Sequence, residues 1–239
     1  MSDALTMILF GVYPYIALTV FLVGSLIRFD REQFTWRSGS SQLLRRRQLR
    51  WGSNLFHVGI LIVFFGHLVG LLTPVEVFDA LGIQHAFKQM AAIVVGGTAA
   101  MFALIGATLL LHRRLFDARI RKTSAPMDHA ILIILWVQLC LGILTIPVSL
   151  GHMDGHMMVL FMNWATGIFT FQPVSAELIE TAHWIMKLHI FLGLTVFLIF
   201  PFTRLVHIWS APFGYVTRRG WQVVRSRRTR SPVDSRYPS

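Results

Sequence analysis

The chain has 239 residues, of which 54% are hydrophobic and 14% charged, and its mean hydropathy is +0.60. Those values lie outside the soluble globular range and predict a polytopic membrane protein. The net charge of +11 would suit nucleic acid, but the basic residues avoid some loops entirely, which argues against that partner.

A helical span needs about 20 mainly apolar residues, and five stretches qualify, at roughly 5–27, 52–73, 89–112, 128–150 and 182–208. Before the first, Met1–Ala4 carries Asp3 and no Lys or Arg, so the expectation is a retained span rather than a removable signal peptide. Pro14 in that stretch, and Pro147 and Pro201 near later helix ends, predict local kinks. Between the last two stretches lies "MMVLFMNWATGIFTF" (157–171), which is short for a span and predicts an interfacial or re-entrant helix. His152, Asp154 and His156 precede it.

Charge asymmetry orients these elements. Segment 28–50 carries Arg28, Arg31, Arg37, Arg45, Arg46, Arg47 and Arg50; segment 113–122 carries Arg113, Arg114, Arg119, Arg121 and Lys122; eight more Arg follow from Arg204 onward. Five alternating spans put 20 of the 22 basic residues on one side, leaving only Lys88 and Lys187 near the other. The expectation is an all-α bundle of five transmembrane helices with its N-terminus outside and its C-terminus cytoplasmic. A sixth span at 157–171 would move the Arg-rich tail outside, against this pattern. Residues 1–208 form the membrane domain in this reading and 209–239 a basic cytoplasmic tail. Topology accounts for the loop charges, and contact with anionic membrane lipid is a second use for them. The tail "TRRGWQVVRSRRTRSP" is also long and basic enough to dock a soluble subunit.

Ionisable residues inside spans are rare and usually functional. His57 and His67 lie in the second stretch, about 15 Å apart along a helix axis, and His189 and His207 in the fifth, about 27 Å apart. Because the two helices run in opposite directions, depth pairs His67 with His189 and His57 with His207. The spacings of 10 and 18 do not match on straight helices, and tilt is one way to reconcile them. Two imidazoles at matched depth suit the axial positions of a b-type haem. The sole cysteine, Cys140, and the lack of a C-x-x-C-H sequence exclude thioether attachment. Gly59, Gly66, Gly70 and Gly193 suit a flat macrocycle between helices, and Arg204 is a candidate contact for a haem propionate. The plainer alternative is that each histidine bonds a backbone carbonyl and each glycine only packs helices. Lys88 reads either as an interfacial snorkelling lysine or as a donor to a quinone oxygen beside His67. "HMDGH" reads as a metal loop through His152, Asp154 and His156 or, more simply, as a wet surface loop; His85 has no evident partner.

With these residues in view, the sequence resembles the gamma subunit of membrane-bound respiratory nitrate reductase, a di-haem cytochrome b. The likeness is carried by "YPYIALTVFLVGSLIRFD", "QFTWRSGSSQ", "SNLFHVGILIVFFGHLVGLLTP", "RRLF", "LTIPVSLGHMDG" and "KLHIFLGLTVFLIFPFTRLVHIWSAP". It implies His57 and His207 as ligands of a proximal, cytoplasmic-side haem b, and His67 and His189 as ligands of a distal one. It implies a quinol pocket at Gly66, His67 and Lys88, taking menaquinol or ubiquinol. It also implies an iron–sulfur beta subunit and a molybdenum-containing alpha subunit as cytoplasmic partners, and residence in a bacterial inner membrane. Two competing readings are a related di-haem cytochrome b serving another oxidoreductase, and a haem-free transporter that uses its histidines otherwise.

Overall fold

The computed structural model describes residues 3–36, 44–151, 153–172 and 179–210. His152 and the tail from 211 onward lie outside the described residues. Five helices are long and apolar enough to cross a membrane: Ala4–Thr35, Arg46–Leu72, His85–Phe116, Pro126–Leu150 and Trp184–Phe202, hereafter the first to fifth spans. Among the described residues there is no strand. The first three helices overrun their apolar stretches because flanking Arg, Gln and Leu residues are good helix formers. The fifth stops short of 208.

The short helix His156–Phe169 has 14 residues, about 21 Å of length against a hydrocarbon core of about 30 Å. It therefore does not make a sixth span. A proline elsewhere fastens it. Pro14 has no N–H to give the Phe10 carbonyl one turn earlier, and the helix widens into a π-turn over Ile8–Val12. The freed Phe10 carbonyl accepts a hydrogen bond from Trp164 Nε1 at 3.0 Å. Around it Leu160, Trp164, Ala165 and Ile168 pack with Phe10 and Ala17 of the first span and Leu194 of the fifth.

The spans pack second on third, third on fourth, fourth on fifth and fifth on first. Small residues set the closest of these contacts. A Cβ on Gly106 would collide with the Phe56 backbone, and one on Gly59 with the Ala99 carbonyl and Ala103. Such close approach is how helices gain dispersion contact inside a bilayer, where lipid is as apolar as leucine. No comparable packing joins the second and fifth spans among the described residues, and the second is the least buried of the five. A slot is left between them.

The expectation of one helix over 182–208 is corrected at Pro201. The ring removes a backbone donor and clashes with the preceding turn, so the α-helix ends at Ile199 and a 3-10 turn follows over Phe200–Phe202. Thr203 is extended (φ −115°, ψ 176°), and a second 3-10 turn, Arg204–Ile208, then carries His207. The Thr203 hydroxyl accepts the Leu205 N–H at 3.2 Å and opens that turn. The first span holds the break in place. Arg28 donates to the Pro201 carbonyl at 2.5 Å and the Thr203 carbonyl at 3.0 Å, satisfying acceptors that a helix end leaves free. One turn earlier Gly24 makes room, since a Cβ there would sit 2.8 Å from Pro201 Cγ.

Candidate functional site

The second span presents His57 and His67 to the slot, and the fifth span and its terminal turn answer with His189 and His207. Ring centroids of His67 and His189 are 6.2 Å apart, and those of His57 and His207 6.4 Å. The depth pairing is therefore the pairing in space. His207 is not on the axis that carries His189, because the helix breaks at Pro201, so the spacings of 10 and 18 are not measured along two straight helices.

Both separations suit a metal held between two imidazoles. Two metal–nitrogen bonds of about 2 Å and two ring half-widths of about 1 Å sum to about 6 Å. Ring orientation agrees. Nδ1 lies 2.7 Å from the Ser53 carbonyl in His57, 2.8 Å from the Val63 carbonyl in His67 and 2.6 Å from the Arg204 carbonyl in His207. A carbonyl only accepts, so each Nδ1 carries the proton and each Nε2 offers a lone pair. The carbonyl bonds of the plainer alternative are thus made at three of the four histidines, and they leave the other ring nitrogen able to ligate.

His189 is different. Its ring interacts with the main-chain carbonyl of Gln138 on the fourth span rather than with a carbonyl of its own helix. The ring lies over Gly142 of the fourth span, where a Cβ would be 3.0 Å from Cε1. Gly142 was not legible as a site residue, because the histidine it accommodates is 47 positions away.

The four glycines separate into two kinds. Beside Gly66 and Gly70 a Cβ would meet nothing within 4 Å, so both border open space. Gly59 instead packs on the third span, and Gly193 faces the Gln138 side chain.

Lys88 turns into the bundle instead of snorkelling away from it. Its Nζ donates to the Gly70 carbonyl at 3.1 Å, lies 2.8 Å from Met162 Sδ and sits 3.6 Å from the centroid of the Phe78 ring. Gly70 is one turn beyond His67, so the ammonium, the imidazole and the open edge at Gly66 share one end of the slot. Met162 and Phe78 lie on separate short helices, which left their part in the site hidden in sequence.

The opposite end is arginine-rich. Arg45 pairs with Asp117 at 2.8 Å, and Arg114 and Arg204 approach the two oxygens of Asp128 at 3.7 and 3.9 Å. Arg204 thus stands beside His207 with a protein carboxylate as neighbour. The Asp117 carboxyl is held below its ordinary range by the Ile120 N–H, then by the Arg119 N–H and Arg45. It caps the helix Ala118–Thr123 between the third and fourth spans.

Two further features of the sequence have local contacts among the described residues. His85 reaches Asp79 at 3.2 Å, which supplies the partner that the sequence did not show. In "HMDGH", Asp154 accepts the backbone N–H of His156 at 3.2 Å, as a loop-to-helix cap does.

Comparison with known proteins converges on one family. A family model described as nitrate reductase gamma subunit matches residues 6–227. The respiratory nitrate reductase 2 gamma chain of Escherichia coli (strain K12) is 48% identical over 228 residues, covering 95% of this chain and all of that one. The nitrate reductase gamma chain of Bacillus subtilis (strain 168) is 41% identical, covering 88% of this chain and 94% of that one. An Hdr-like menaquinol oxidoreductase cytochrome b-like subunit from Archaeoglobus profundus is 29% identical, over 66% of this chain and 47% of its own length.

Proposed function

The chain belongs to the nitrate reductase gamma subunit family, a multi-pass subunit of an inner-membrane oxidoreductase complex, and from that premise we propose that it oxidises quinol and carries the electrons across the bilayer to a partner. The partner is an iron–sulfur beta subunit, which feeds nitrate reduction on a molybdenum-containing alpha subunit. The observation that carries this reading is the pair of facing histidine couples at 6.2 and 6.4 Å along one slot.

His57 with His207 and His67 with His189 would hold two b-type haems, supplying one-electron carriers that split the two-electron oxidation of quinol. The chain's own residues then have separable tasks. Ser53, Val63 and Arg204 carbonyls fix the imidazole tautomers, and Gly66 and Gly70 keep the slot wide. Lys88 presents an ammonium within one turn of His67, where it donates a hydrogen bond to a quinol oxygen and steadies the negative charge left as a proton departs. Arg204 offers a cation to a propionate beside His207. The arginine-rich end faces the cytoplasm, so the Lys88 end faces outward and protons lost there leave on that side. The basic tail 209–239 docks the soluble partners.

A reduced-minus-oxidised spectrum with a redox titration of the purified complex tests this. Two b-type components are expected. A dithionite-reduced sample without a b-haem α-band overturns the reading.

A further inference from the structure

We propose that His85 and Asp79 form a clamp that positions the Lys88 ammonium for quinol. The assignment rests on the quinol role proposed for Lys88 and deepens it.

Lys88 Nζ is held by contacts from three separate elements. They are the Gly70 carbonyl near the end of the second span, the Met162 thioether of the helix His156–Phe169 and the Phe78 ring of the short helix Val75–Ala80. None of the three is an ion pair, so the ammonium keeps its place only while these elements keep theirs.

His85 is where they meet. It stands one turn before Lys88 on the same helix, His85–Ala91, and its Nε2 lies 3.2 Å from Oδ1 of Asp79, the neighbour of Phe78. A carboxylate accepts, so Nε2 carries the proton whether or not the ring is charged. The intervening turn is wrapped on the same two residues. The Ile83 N–H donates to the Phe78 carbonyl at 2.9 Å and the Gly82 N–H to the Asp79 carbonyl at 3.0 Å, with Gly82 at φ 68°, as a helix-ending glycine allows. From the other side Gly155 brings the loop that opens the helix His156–Phe169 onto the same residue, since a Cβ there would be 2.6 Å from His85 Cβ. One side chain thus joins the segments that carry Lys88, Phe78 and Met162.

The clamp matters before quinol arrives. A donor in place for only a fraction of the time weakens apparent affinity by that fraction, whereas a bound quinol oxygen holds the ammonium itself. The loss therefore falls on KM and spares kcat. The side chains of His85 and Asp79 are 31% and 57% exposed, so water screens the pair and the effect is modest.

The test uses the intact complex and steady-state kinetics with a quinol analogue. KM should rise about two- to fivefold in His85→Ala and in Asp79→Asn, with kcat and both b-type components as in wild type. The double variant should be no worse than the worse single one, because both remove the same contact. Asp79→Glu, which keeps the acceptor, should lose less than Asp79→Asn. If His85→Ala does not retain haem, the isosteric Asp79→Asn decides alone. An unchanged KM in the single variants, or losses that multiply in the double, overturns the clamp and leaves the quinol reading standing. An unchanged KM in Lys88→Ala overturns the quinol role of Lys88 instead.

Discussion

The two histidine couples reach nearly the same separation from unlike backbones. His67 and His189 stand on two regular helices, and Gly142 lies behind the His189 ring, where a Cβ would be 3.0 Å from Cε1. His57 faces a residue on a 3-10 turn beyond a proline break, held by a cation from the first span. One couple depends on what is missing from neighbouring side chains, the other on a bond made across the bundle. The difference teaches that histidine spacing along a chain need not equal spacing in the fold, and that the two couples should fail for different reasons.

The largest effects are expected at the four histidines proposed as ligands. His67→Ala or His189→Ala should remove one b-type component, and His57→Ala or His207→Ala the other, read as loss of half the reduced α-band. Loss of the same component from all four variants would dissolve the comparison. Next is Gly142→Val, which drives a branched side chain into the His189 ring and should empty the His67/His189 site while sparing the other. Equal loss at both sites would show general misfolding instead.

Arg28→Ala tests the opposite couple. Removing a cation that bonds two helix-end carbonyls costs about 2 kcal/mol, so the His57/His207 site should hold haem roughly tenfold to thirtyfold more weakly. Haem retention during detergent washing measures it. Lys88→Ala should weaken quinol oxidation severalfold with both haems retained; unchanged steady-state kinetics with a quinol analogue would reject its donor role.

The smallest effect concerns the arginine-rich end. Asp117 has a depressed pKa in the fold, so its stabilising share is present above the unfolded aspartate pKa of about 4 and is lost as pH falls through the folded value. Asp117→Asn should loosen the helix Ala118–Thr123 at neutral pH. Trypsin cleavage at Arg119, Arg121 or Lys122 in membranes should then quicken, and a rate equal to wild type would deny the cap any role.

Much of the site was legible because its chemistry is costly in a bilayer. Histidine and lysine inside apolar runs stand out against leucine and valine, and span direction alone paired the four imidazoles correctly. The glycines show the limit of such reading. Gly66 and Gly70 border open space, whereas Gly59 and Gly193 serve packing; all four look alike in sequence because glycine records only that a side chain is absent. Gly142 was invisible for a related reason, since a glycine in the fourth span signals nothing until the ring it meets is placed. Arg28 counted only toward topology, although its guanidinium holds Pro201 and Thr203.

Composition and periodic hydropathy by themselves determined a five-span helical membrane chain, the short sixth helix and the four paired histidines. Burying apolar length and confining charge to the ends leave few other solutions in a bilayer. Only the tertiary structure decided where the fifth span breaks, which glycines pack against a neighbouring helix and which carbonyls the His57, His67 and His207 rings meet. Those depend on contacts between residues far apart in the chain, set by helix packing and backbone termination rather than by local pattern.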